Sequence, residues 1–216
     1  MQIDVSDPSP SNSPSSARPP GGIADRLWQA ARVEFALRGY HGARVQGIAR
    51  RAGCNVALLY RHWPSKKGLY LEIVRSICIE VNQILDQAVT REEGAVGMVR
   101  AYLDAMLADG QGAQILMREY LDGSPFVLQL MQEDPAMASP LGRYTHAFVE
   151  GPEEKRLRPE LNPRLALITV SGFASLISAS RTAAQPFLDG PITIETRKEH
   201  LAEVLLHGLL RAPTGR

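Results

Sequence analysis

The sequence predicts an all-α protein in two parts: a small N-terminal domain of three helices containing a helix-turn-helix, and a larger C-terminal helical domain. Three observations carry this. Apolar residues recur at three- and four-residue spacing along most of the chain after Gly22, the period of amphipathic helices. Strand signals are scarce; the one β-branched cluster of note, Ile192-Thr193-Ile194, stands at the head of another helical pattern. Residues 45–63 read as a short helix, a glycine turn and a second short helix, with Ser65-Lys66-Lys67 directly behind them.

Taken in order, residues 1–22 are dominated by Ser, Pro, Asp and Gly. They bury too little apolar surface to offset the entropy of ordering, so a disordered tail is expected. The first helix starts after Gly21-Gly22 with Ile23, Leu27, Ala31 and Phe35 on one face, and Gly39 is its expected stop. The second runs from Val45 to Ala52 and should bury Val45, Ile48, Ala49 and Ala52. Gly53 supplies a position that tolerates positive φ, and Asn55 caps a third helix from Val56 to His62 or Trp63, closed by Pro64. Ser65 caps a fourth helix whose stripe of Leu69, Ile73, Ile77, Val81 and Ile84 continues into the second domain. The domains are expected at 23–68 and 69–216, which makes the fourth helix the mechanical link between them. Further helices are expected at 94–108, 111–121, 126–131, 141–149, 163–184 and 193–211, with a break at 135–140, a charged connector at 150–163 and a turn at 185–191.

The net charge of +1 conceals an uneven distribution. Residues 23–75 carry ten Lys and Arg against three acids, whereas residues 76–216 carry thirteen against eighteen. A basic head on an acidic body is the electrostatic footprint of a polyanion binder. Cys54 and Cys78 match no metal or redox spacing and are too few for a disulfide scaffold, which points to a reduced, cytoplasmic setting. No apolar run reaches the ~18 residues of a membrane span, so no membrane partner is expected, and the acidic, Pro/Ser-rich start is unlike a signal peptide.

The helix-turn-helix makes physical demands that the residues meet. Ala49 is small where two helices must cross closely, Gly53 is free in the turn, and Leu59 is apolar on the back of the second helix. The front of that helix offers Asn55, Val56, Ala57, Leu58, Tyr60, Arg61 and His62 to the major groove of double-stranded DNA. Arg61 suits guanine, Asn55 adenine or a phosphate, and Val56 or Ala57 a thymine methyl. Tyr60 and Lys66 fit phosphate contacts, which position without reading sequence. Arg44, Val45 and Gln46, at the start of the preceding helix, complete the candidate DNA surface.

At these residues the chain resembles the N-terminal domain of the tetracycline-repressor (TetR) family of bacterial transcription regulators. The resemblance covers residues 23–75 and rests on Ala30-Ala31…Phe35…Arg38-Gly39-Tyr40, Val45…Ile48-Ala49-Arg50-Arg51-Ala52-Gly53 and Leu59-Tyr60-Arg61-His62-Trp63-Pro64-Ser65-Lys66…Leu69. It implies a homodimer that binds DNA through its third helix, and a C-terminal effector-binding domain whose last two helices form the dimer interface. Carried over by position, Tyr60 and Lys66 would meet phosphate, while Val56, Ala57 and Arg61 would face bases. Two features depart from the pattern. Ala43 and Arg44 stand where a Ser or Thr usually caps the second helix, a loss of about 1 kcal/mol, and Arg44 is expected to reach phosphate instead. Gly47 lies inside that helix, where it is unfavourable by up to ~1 kcal/mol; close approach to a DNA backbone and simple tolerance both account for it.

Two linked half-sites bind far better than one, so a dimer is expected. Its interface is placed on Val170, Ala174, Ile177 and Ser178 of the penultimate helix, whose small residues allow close packing, and on Leu201, Leu205 and Leu209 of the last. An adaptable effector pocket is placed on Met98, Tyr102, Met106, Met117, Tyr120, Phe126, Met131, Tyr144, Phe148 and Phe173, with Arg118, Glu119 or His146 orienting a polar end of a small, mostly apolar effector. The function read from this is a ligand-responsive repressor released from a palindromic operator. The alternative is a helical ligand-sensing adaptor that no longer reads DNA, a reading kept open by the apolar Val56-Ala57-Leu58. No enzyme is expected: the sequence has no phosphate-cradling glycine loop, no nucleophile elbow and no metal-spaced His/Cys set, and His200 and His207 are seven residues apart. No cofactor or metal is expected either.

Overall fold

The computed structural model describes residues 21–91, 94–138, 140–150, 156–180, 186, 190 and 192–210. The expected tail lies almost wholly outside these residues, as do much of the 150–163 connector and of the 185–191 turn. Regular structure among them is helical: α1 (Ile23–Gly42), α2 (Val45–Arg51), α3 (Val56–His62), α4 (Lys66–Thr90), α5 (Gly94–Ala108), α6 (Gly110–Leu121), α7 (Pro125–Glu133), α8 (Pro135–Ala138), α9 (Pro140–Ala147), α10 (Pro163–Ala179) and α11 (Ile194–Leu209). An antiparallel bridge pairs Leu157 with Leu210.

The head is α1 to α3 with the start of α4. Leu27, Ala31 and Phe35 of α1 are fully buried against Ile48 of α2 and Leu59 of α3. Ala49, 2% exposed, lets α2 approach closely. Gly53 takes φ +67° in the turn, and Cys54 N–H donates to Ala49 O at 3.0 Å to close it. The Asn55 side chain accepts from Leu58 N–H at 3.0 Å, and Ser65 Oγ from Gly68 N–H at 3.0 Å, so both expected caps are formed. Arg44 makes no side-chain cap on α2. The Trp28 and Trp63 rings meet at 6.2 Å, and the Trp63 indole N–H donates to Glu72 of α4.

Gly39 acts as a stop, though with more structure after it than expected. Its φ of +67° breaks α1 three residues before the end, and a final turn follows, closed by Ala43 N–H to Gly39 O at 3.1 Å. Gly47 is explained from inside the protein. A Cβ there would stand 3.0 Å from Oε1 of Glu34, a buried carboxylate that also pairs with Arg38 at 2.8 Å. The close approach is therefore to α1.

The body is organised on α5. Eleven of its fifteen residues are buried, the pattern of a helix enclosed on nearly all sides. Helices α4, α10 and α11 all pack on it. Helix α4 crosses from head to body with Leu69, Tyr70, Ile73, Val74, Ile77 and Leu85 buried on one side. The break expected at 135–140 contains the short helix α8, opened by Pro135 at a position where its missing N–H costs nothing.

The residues expected at the dimer interface pack within the single chain. Val170, Ala174 and Ser178 are buried within the chain, where α10 packs on α5 and α6, and Ser178 Oγ–H donates to Met106 O at 2.6 Å. Leu201, Leu205 and Leu209 are likewise buried, with α11 lying on α5. Ile177 is half-buried against the same core. The small residues of α10 allow close packing, but on its own chain. The face α10 leaves outward is Leu165, Ile168 and Leu176, 50–64% exposed, and α11 leaves Val204 at 50%.

Candidate DNA interface and effector cavity

The face read as DNA-binding is an exposed surface on a closed core. Arg44, Gln46, Asn55, Ala57, Tyr60, Arg61 and His62 are exposed, and Val45 and Val56 are half-buried. Because Leu59 anchors α3 from behind and the Asn55 cap fixes its first turn, these side chains are presented by rigid backbone. Arg50, Arg51 and Lys67 are exposed nearby and add positive charge.

Lys66 differs from its sequence expectation. Its ammonium donates to Tyr40 O at 2.8 Å and Ala43 O at 3.1 Å, and it lies 4.6 Å from the centre of the Tyr40 ring. Two of its three N–H groups thus cap the end of α1 and the approach to α2. It is a clamp between α4 and α1 with at most one donor left for an outside group.

Two consecutive residues at the C-terminal end of α6 join head and body, and the next faces into the body. Arg118 donates to Ala36 O at 3.1 Å and Leu37 O at 2.8 Å, satisfying carbonyls that the Gly39 break leaves open. Glu119, 2% exposed, accepts from the Tyr70 hydroxyl of α4 at 2.9 Å and from the Phe126 and Val127 N–H groups of α7 at 3.1 and 3.3 Å. Tyr120 lines a cavity in the body. At the other end of α6, its N-cap Asp109 pairs with the buried Arg32 of α1. So α6 is fastened to α1 at both ends.

The cavity has a volume of about 120 Å³. Its walls come from α4 (Cys78, Val81, Asn82), α5 (Tyr102, Met106), α6 (Leu116, Tyr120), α7 (Val127, Leu130, Met131), Met137 of α8, and α10 (Ser171, Ser175). Tyr102, Met106, Tyr120 and Met131 were expected there. The other six were not brought to it. Met98, Tyr144 and Phe148 are buried in the core, and Phe126 packs its ring tilted against Tyr40 at 4.6 Å and edge-on to Tyr70 at 4.8 Å at the head–body junction. Met117 and Phe173 lie outside the cavity wall. Nor do the three proposed orienting groups reach it: Arg118 and Glu119 are committed as above, and exposed His146 pairs with Glu150 at 3.5 Å.

Sequence reasoning missed Cys78, Asn82, Ser171 and Ser175. A signal existed for the two serines, which stand one helical turn apart, but it was read as small-residue helix pairing. Burial pushes the Cys78 thiol up to about 11, with the nearby Glu119 carboxylate adding to the effect, and pushes Tyr102 and Tyr120 above the usual phenol range. These groups are neutral donors at physiological pH.

A capped, glycine-hinged pair of short helices on a basic three-helix head defines a helix-turn-helix domain, here joined to a helical body through one long helix. Residues 27–73 match the model for bacterial regulatory proteins of the tetR family. It is similar to the transcriptional activator FasR of Mycolicibacterium smegmatis, with 33% identity over 95 residues, 42% of this chain and 43% of that one. It is also similar to the transcriptional repressor KstR2 of the same organism, with 30% identity over 125 residues, 56% and 59% of the two chains. The chain thus spans about half the length of the curated relatives it matches. Over nearly its whole length it shares the fold of the ketosteroid transcriptional regulator KstR2 of Mycobacterium tuberculosis, with a TM-score of 0.67 and 18% identity, covering 89% of this chain and 97% of that one. Among the described residues no helix is long and apolar enough to cross a membrane.

Proposed function

We propose that this chain is a dimeric, DNA-binding transcriptional repressor that a small effector releases from a palindromic operator. The observation that carries the reading is the exposed Arg44, Gln46, Ala57, Tyr60, Arg61 and His62 face on a closed helix-turn-helix core, in a domain of a regulator family. Arg61 is the base-reading candidate, with Gln46 and the methyl groups of Val56 and Ala57 beside it. Arg44 and Tyr60 are phosphate contacts, and Asn55 is committed first to capping α3.

Two-fold symmetry of the dimer pairs with two-fold symmetry of the operator, and the recognition helices must then stand about 34–36 Å apart. The outward faces of α10 and α11, with Leu165, Ile168, Leu176 and Val204, are the surfaces we assign to the dimer. Release follows if the effector binds better to a conformation whose spacing is wrong for DNA. The route we infer is short: the cavity touches α4 directly and reaches Tyr120, whose neighbours Arg118 and Glu119 hold α1 and α4. No observation favours the alternative of an adaptor that does not read DNA.

The test is a gel-shift titration against DNA upstream of the chain's own gene, repeated across salt concentrations. Binding should weaken steeply with salt, because each neutralised phosphate releases counterions. Absence of salt-sensitive binding there would overturn the repressor reading.

A further inference from the structure

We propose that the body cavity takes a small uncharged molecule, about one ring in size, that carries a hydroxyl or carbonyl oxygen, such as a phenol, a cyclic alcohol or a cyclic ketone. This rests on the reading of the cavity as the effector site, and it assigns the ligand's chemistry.

The first argument is charge. No lining side chain among the described residues is ionic. Arg75, whose charge acts on Cys78, is committed to Asp134 at 3.1 Å, and Arg118, beside the wall residue Tyr120 in sequence, to the α1 carbonyls. The buried Glu119 carboxylate acts on the wall residue Cys78 more strongly than Arg75 does. A carboxylate or phosphate placed here would lose its hydration with no cation to replace it, a strongly unfavourable transfer.

The second argument is unmet hydrogen bonding. Ser175, 1% exposed, donates its hydroxyl to the Met106 thioether sulfur at 3.3 Å. Thioether sulfur is a weak acceptor, so a ligand oxygen is a better partner for that proton. Tyr102 lines the same cavity and is 9% exposed, and its hydroxyl has no hydrogen-bond partner among the described residues. Ser171 spends its proton on Ile168 O at 3.1 Å and is also hydrogen-bonded to the Tyr120 side chain, so neither is left open. Two donors with poor or no partners on α5 and α10 call for an acceptor between them, and a wall otherwise built of Val, Leu and Met calls for an apolar remainder.

The third argument is size. A cavity of about 120 Å³ is comparable with the roughly 150 Å³ apolar cavity that admits benzene. That is room for about one small ring, with side-chain adjustment to seat a substituent.

Isothermal titration calorimetry of the full chain with 4-methylphenol, toluene and 4-methylbenzoate tests this. The three probes share a skeleton and differ in oxygen and charge. 4-Methylphenol should bind about tenfold or more tighter than toluene, the difference of one good hydrogen bond made in a buried site, and 4-methylbenzoate should show no saturable binding. Tyr102→Phe and Ser175→Ala are near-isosteric, and each should bring 4-methylphenol toward the toluene affinity while leaving toluene unchanged. Benzoate binding as tight as the phenol overturns the proposal, and so does phenol affinity unchanged in both variants. If none of the probes binds while salt-dependent DNA binding persists, the ligand class is wrong and the DNA-binding reading stands. Phenol binding without DNA binding supports the ligand class and sinks the repressor reading instead.

Discussion

Tyr70 of α4 donates its hydroxyl to Glu119 of α6 at 2.9 Å, and the same carboxylate receives two backbone N–H groups at the start of α7. One buried group therefore fixes three helices at the point where head meets body. Glu119→Ala would leave a buried hydroxyl and two N–H groups unpaired, and is expected to cost about 3 kcal/mol or more of folding stability. Tyr70→Phe removes one bond of the set and should cost about 1 kcal/mol. Urea unfolding monitored by circular dichroism measures both, and equal losses in the two variants would contradict the hub role.

Arg118 closes the carbonyls left open by Gly39. Arg118→Ala should free the last turn of α1, read as faster amide exchange over residues 37–43, with a smaller stability loss of about 1–2 kcal/mol. Unchanged exchange in that segment would mean that Arg118 does not hold the head.

Lys66 and Arg61 separate clamp from reader. Lys66→Ala should lower the melting temperature of the free protein, because two charge-assisted bonds to Tyr40 O and Ala43 O are lost. Arg61→Ala, on an exposed surface, should leave that temperature alone and relax the preference for one base of the operator. A Lys66→Ala protein as stable as the parent, with DNA affinity lowered uniformly, would restore a pure phosphate role for Lys66.

Outward and inward residues of α10 should respond oppositely. Ile168→Glu changes an exposed side chain and should give a folded monomer with much weakened operator binding. Ala174→Glu buries a charge in the chain's own core and should prevent folding. Size-exclusion chromatography with light scattering distinguishes them, and an Ile168→Glu dimer would move the interface elsewhere.

Cys78 gives a pH signature. Its folded-state value is raised from 9.0 to about 11, so the folded state holds this proton more tightly than the unfolded chain. The stability it contributes is complete below pH 9 and is lost as pH rises from 9 towards 11. Alkylation of Cys78 in the folded protein should accordingly be slow at pH 8 and climb through pH 10–11. Rapid alkylation at pH 8 would contradict the closed, apolar setting of the thiol.

The head was legible because each device there is local. Gly53, Asn55 and Ser65 act within three or four residues of chain, and the backbone does at each what its side chain suggests. Gly47 shows the limit of local reading, since its reason is Glu34 on another helix. The body's helices were legible from period alone, but their faces were not. Helix α10 carries small residues on one side and Leu165, Ile168 and Leu176 on the other, and period cannot say which side meets its own chain. Phe126 and Tyr144 were assigned to the pocket on residue type, whereas long-range packing put them in the aromatic junction and the core.

The chain's two tryptophans, Trp28 and Trp63, both sit in the head, 6.2 Å apart, while the cavity walls are built from the body and hold neither. Intrinsic fluorescence is thus a natural reporter confined to one end of the molecule. An effector in the body has no indole beside it to quench. Any change in emission on adding one would have to be a signal that has already travelled from the cavity to the head, recorded without a label.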